Sequence, residues 1–92
     1  MHAIVAIVEL DSSRGEEATA ILNNVVVPQA KASPGFASGY WMRTPDHAQG
    51  LAVEFFDSLE SAEAALADRA TPPPGSPVTV ISARVMEIAA SA

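Results

Sequence analysis

The side chains that could act on a small molecule are few. They are Tyr40 and Trp41, His2 and His47, Glu54, and the guanidinium groups of Arg43 and Arg84. Tyr40 and Trp41 are adjacent, so on a strand they point to opposite faces. One can line a pocket and stack on an aromatic compound while the other packs at a subunit seam. Equally, both can be core or interface aromatics whose polar tips find partners. Phe56 closes the same aromatic stretch, which begins at Phe36 and holds every aromatic residue of the chain. That stretch is the natural wall of any pocket. His2 and His47 have the intrinsic pKa of a general base. His47 falls in a turn and reads as a solvated loop residue. His2 alternates with Ile4 and Val8 and reads as structural or frayed unless a pocket recruits it. Glu54 sits among Ala52 and Phe56, and Arg84 among Val80, Ile81 and Val85. A charge inside an apolar strand is costly to bury unless paired. Glu54 and Arg84 can therefore pair across a sheet, across a dimer or with a ligand, or sit at a wet edge. If the protein uses a carboxylate base, Glu54 is the candidate. Arg43 lies near a strand end and reads as solvated.

Other chemistries lack their residues. There is no cysteine, hence no disulfide and no thiolate site. Two distant histidines form no recognisable metal set, and the sequence implies no metal and no cofactor. Gly35, Gly39 and Gly50 fit no nucleotide loop, and no serine-nucleophile motif occurs. Five Lys and Arg against eleven Asp and Glu give a formal charge of −6. Scattered cations on an acidic chain argue against nucleic acid and anionic membranes as partners. The stretch MHAIVAIVEL has no basic leader or cleavage pattern and reads as a strand. A cytoplasmic protein is expected.

These side chains must be placed by a short chain. Ninety-two residues hold one domain. His2 to Leu10 reads as a strand apolar on both faces, with His2, Ile4, Ala6, Val8 and Leu10 on one and Ala3, Val5, Ile7 and Glu9 on the other. Ser13 with Glu16 is a capping-box pattern for a helix from about Arg14. That helix carries Ala18, Ile21, Leu22, Val25 and Ala32 on one side, and Pro28 should divide it after about Val26. Ser33-Pro34-Gly35 is a stop. Phe36 to Arg43 and Leu51 to Phe56 read as a hairpin. Asp57 with Glu60 is a second cap pattern, before a helix striped by Leu59, Ala62, Ala65 and Leu66. Thr71 to Pro77 is a proline-rich loop, and Val78 to Ile88 is the last strand.

The order β-α-β-β-α-β is the ferredoxin-like arrangement, a four-stranded antiparallel sheet with both helices on one face. The other face would expose on the order of several hundred Å² of apolar surface, exceptional for a monomer. Its natural cover is an identical sheet, so a homodimer is expected. Alternation along the last strand nominates Ile81 and Val85 for the seam.

With that order, with Ser33-Pro34-Gly35-Phe36 followed by Gly39-Tyr40-Trp41, and with Phe56-Asp57-Ser58-Leu59 after the third strand, the chain resembles the dimeric α+β barrel superfamily. It is most similar to its small antibiotic-biosynthesis-monooxygenase-like proteins. The resemblance implies a homodimeric barrel with a pocket between sheet and helices. It implies one of three roles: binding a small apolar or aromatic ligand, cofactor-independent monooxygenation of an aromatic or polyketide-like substrate, or isomerisation with His2 or Glu54 as base. In the second role the substrate reacts with O₂ itself, and the protein orients and deprotonates it. The haem-degrading members resemble one another in an Asn on the first strand, a Trp on the third and a His on the second helix. Here the first strand has no Asn, the third has Phe55 and Phe56, and the second helix has no His. The resemblance therefore does not extend to haem degradation.

Overall fold

A computed structural model describes residues 1–69 and 75–92. The strands are β1 (His2–Leu10), β2 (Phe36–Arg43), β3 (Gln49–Phe56) and β4 (Val78–Glu87). The helices are α1 (Gly15–Ile21), α2 (Val27–Ala32) and α3 (Leu59–Arg69). The strands form one antiparallel sheet in the order β2-β3-β1-β4, so the first and last lie side by side as expected. Of the expected proline-rich loop, residues 71–74 lie outside the described residues.

The segment from β1 to β2 is helical almost throughout. Asp11 Oδ1 accepts from the backbone N–H of Ser13 at 3.0 Å and starts a 3-10 turn, Ser12–Arg14, that leads into α1. Asp11, rather than the Ser13–Glu16 pair, is thus the cap. Between α1 and α2 the helix widens into a π-turn, Leu22–Val26, where Val27 N–H reaches back to Leu22 O. Pro28 explains the widening, because it has no N–H and its ring crowds the carbonyl four residues back. The expected division after Val26 is therefore a π-turn in a continuing helix. The extra residue shifts the helical phase. Val25 is turned out, and Ala30 is buried in its place.

Ser33 and Gly35 turn the chain into β2. Gly35 has φ of +77°, and a Cβ there would strike Asp57 and Ser61, so this turn requires glycine. The second helix is capped by Ser58, whose Oγ accepts from Ser61 N–H at 3.1 Å. The expected cap, Asp57, still belongs to the β3 turn, its N–H donating to Gly35 O at 2.9 Å.

Two β-bulges interrupt the alternation. Ala37 is the extra residue of β2 against β3, and Ile81 that of β4 against β1. The second bulge corrects the assignment of Ile81 and Val85 to one face. Ile81 is exposed, but Val85 lies level with Ile4 and packs on the core beneath α3.

The core is small and lies toward one end. Ile4, Phe56, Ala62 and Ala65 form it, with Phe36, Leu66 and Val85 against it. Phe36 and Phe56 meet edge to face with ring centres 5.8 Å apart, a favoured aromatic geometry. Among the described residues no helix is long and apolar enough to cross a membrane.

Candidate functional site

The helix-bearing face of the sheet is best described as four rows running across it. The first row is Phe36, Phe56, His2 and Glu87, and the second is Gly39, Glu54, Ile4 and Val85. The third is Trp41, Ala52, Ala6 and Ala83, and the fourth is Arg43, Gly50, Val8 and Val80. The first two rows hold the core. In the last two the sheet presents mostly small side chains, and apart from exposed Arg43 these residues are only half-buried. The helices differ to match. α3 lies close on β1, β3 and β4, and α2 leans on β2, while α1 stands further off. Under this helix the sheet contributes Ala6, Gly50, Ala52 and Ala83 rather than large side chains.

Trp41 bounds this region. Its indole lies back over Gly39, where an added Cβ would come within 2.8 Å of the ring and 3.3 Å of Phe36. Phe36 lies between Trp41 and Phe56, but Phe56 is fully buried in the core and, against expectation, faces no open space. Tyr40 lies on the opposite face level with Val53 and is 62 % exposed. Tyr40 and Trp41 therefore do not share a pocket.

Glu54 is 3 % exposed. Its partner is Arg69 on α3, with Nε 2.8 Å from Glu54 Oε1, and not Arg84, which is exposed on the opposite face level with Val5. The approach is close but poorly directed, so Oε1 has no aligned hydrogen-bond donor. Burial raises the Glu54 carboxyl above its ordinary value, and Arg69 opposes the rise. Arg69 also donates to Ser33 Oγ at 2.8 Å, joining α3, β3 and the turn before β2. His2 is half-buried, and its Nδ1 is buried without a hydrogen-bond partner. It lies beside Phe56 and diagonal to Glu54.

A cleft of about 940 Å³ opens between the start of α1 and the β2–β3 hairpin. Arg14, Glu17, Thr19, Arg43 and His47 line it; Trp41 does not. Arg43 and His47 are both exposed, as expected, and stand on the rim of this cleft. Arg43 donates to Thr19 Oγ1 at 2.8 Å. His47 has φ of +61°, uncommon for a residue with a side chain. The turn is held by Asp46 Oδ1, which accepts from Thr44 Oγ1 at 2.6 Å and from Ala48 N–H at 3.0 Å. This conformation lays His47 against Gly15. A smaller groove of about 220 Å³ lies along α3 beside Ser33 and Pro34. Among the described residues no three His, Asp or Glu side chains cluster as a metal site.

No family model matches the chain, and no curated protein matches it by sequence. Solved structures do match. HapK from Hahella chejuensis is 14 % identical with a TM-score of 0.73, over 100 % of this chain and 96 % of that one. The haem degrader MhuD from Mycobacterium tuberculosis, solved with two haems in its active site, is 18 % identical with a TM-score of 0.74, over 100 % and 99 %. The monooxygenase of ActVA-Orf6 from Streptomyces coelicolor, solved with nanaomycin D, is 16 % identical with a TM-score of 0.63, over 99 % and 89 %. At these identities the likeness is one of fold. The chain has the ferredoxin-like α+β fold that these structures share.

Proposed function

We propose that this protein is a homodimer that binds a small planar aromatic molecule between its sheet and α1, against Trp41. The observation that carries this reading is the third row of the sheet. Trp41 is followed there by Ala52, Ala6 and Ala83 beneath the helix that stands off. Alanine can also pack closely, as Ala62 and Ala65 do beneath α3, so the reading depends on α1 standing off from this row. The fold likeness supports it as well, since two of the similar structures were solved with haem or nanaomycin D bound.

Trp41 is the sole tryptophan, so its fluorescence reports the site. A naphthoquinone should quench it with saturation at one ligand per chain. Trp41→Ala should abolish the uptake measured by calorimetry, and Ala52→Leu should block it while the fold persists. Unchanged Trp41 emission up to about 1 mM ligand, the weak limit of specific binding, would sink the reading.

A second reading, cofactor-independent oxygenation with His2 as the base, needs the ligand at the first row of the sheet rather than the third, and is favoured by the buried and unpartnered His2 Nδ1. In an oxygen electrode a bound hydroquinone would then be consumed faster than in buffer. The acceleration would vanish in His2→Ala; equal rates with and without protein would leave binding as the only role.

A further inference from the structure

We propose that the ligand carries an acidic group at one end and that Arg43 reads it. The inference rests on the reading that an aromatic body lies against Trp41. Arg43 and Trp41 are two residues apart on one strand and share its helix-bearing face. That spacing is about 7 Å along the strand, and the indole leans the other way, over Gly39, so a ligand body resting on it must span the third row before its acidic end reaches Arg43.

The electrostatics of the cleft single out Arg43. Arg14 also lines it, but its guanidinium is engaged by Glu17 and by Gly75 O at 2.9 Å. Arg43 has no carboxylate within 4.0 Å among the described residues, and Thr19 is its side-chain partner. The Thr19 hydroxyl donates to Gly15 O at 3.0 Å, so its lone pair is what Arg43 meets. This contact fixes the guanidinium by one nitrogen and leaves the rest of its planar fork toward the cleft, a geometry suited to a carboxylate. His47 lies on the same rim and can add a ring N–H. Glu16 is the opposing charge at the helix start. The cleft sets Arg14 and Arg43 against Glu16 and Glu17, so Arg43 acts on an anion by direct contact and not through a long-range field.

The test compares naphthoate with naphthamide, which differ in charge at nearly constant shape. Calorimetry on the wild-type protein should favour naphthoate by about five- to tenfold, the range for one charge-assisted contact at a partly exposed site. Arg43→Gln should erase that preference and leave naphthamide affinity unchanged. Arg43→Lys should keep part of it, because charge remains while the fork is lost. Circular dichroism on each variant establishes that it is folded. Equal affinities in the wild type, or a preference that survives in Arg43→Gln, would overturn the inference and leave the aromatic site standing. If neither compound binds and Trp41 emission does not change, the site and the inference fall together.

Discussion

Glu54 is the side chain whose surroundings most constrain what it can do. It is buried, and its nearest cation, Arg69, is badly aimed. A carboxylate so enclosed fastens α3 to the sheet more readily than it takes a proton from a ligand. Burial raises its pKa, so the folded state holds its proton more tightly than the unfolded chain does. The stability that comes from this difference is complete below the unfolded pKa and is lost as pH rises through the folded one. Going from about pH 7 to about pH 4, around the ordinary carboxylate range, the wild type should gain stability relative to Glu54→Gln. Thermal melts of both proteins at the two values check this; a gap moving the other way would mean that Arg69 outweighs burial. The cost of Glu54 was legible from its apolar neighbours on the strand. Its partner was not: charge within apolar strands points to Arg84, whereas Arg69, one turn beyond the stripe of Ala62, Ala65 and Leu66, reaches it from α3. Nor was Arg43. Its role comes from a helix far away in sequence that lies over the strand end, and no local pattern records that approach.

Among the elements, the strands follow closely from alternation, since β1 and β3 pair in unbroken register. The first helix departs from its periodicity because Pro28 imposes a π-turn, and a pattern of fixed period carries across such a turn with the wrong phase. This has a direct consequence. Val25 falls on the apolar stripe of a regular helix, yet it is 55 % exposed, whereas Ala30 is fully buried. Val25→Lys should change stability by less than about 0.5 kcal/mol, as surface substitutions do. Ala30→Lys should cost about 3 kcal/mol or more by burying a charge in a packed site. Urea unfolding of the two variants decides it, and severe destabilisation by Val25→Lys would restore the regular phase. The caps failed for a simpler reason: Ser, Asp and Glu crowd both helix starts, and several registers of the same cap are chemically equivalent. The bulge at Ile81 had no sequence signal, because valine, isoleucine and alanine fit either face of a strand.

For the whole molecule, the face opposite the helices sets the expected assembly. It presents Val5, Ile7, Leu51, Val53, Phe55, Tyr40, Met42 and Met86 across all four strands, with Ile7, Tyr40, Met42 and Met86 among the exposed large apolar side chains. Such a surface is worth roughly 25 cal/mol per Å² once covered. Val53 sits near its centre, on an inner strand. Val53→Glu should leave a folded monomer in native mass spectrometry where the wild type gives a dimer. Val85→Glu, which strikes the core beneath α3, should unfold the chain. A dimer that persists in Val53→Glu would place the seam elsewhere. The two bulges bear on how the molecule can associate. Both extra residues, Ala37 and Ile81, belong to the outermost strands of the sheet. An apolar sheet with two straight rims could add further copies strand by strand and grow into a ribbon. Here each rim is kinked out of the ladder that an incoming strand would need. Growth along the sheet is obstructed at both ends, and contact through the face would stop at two copies.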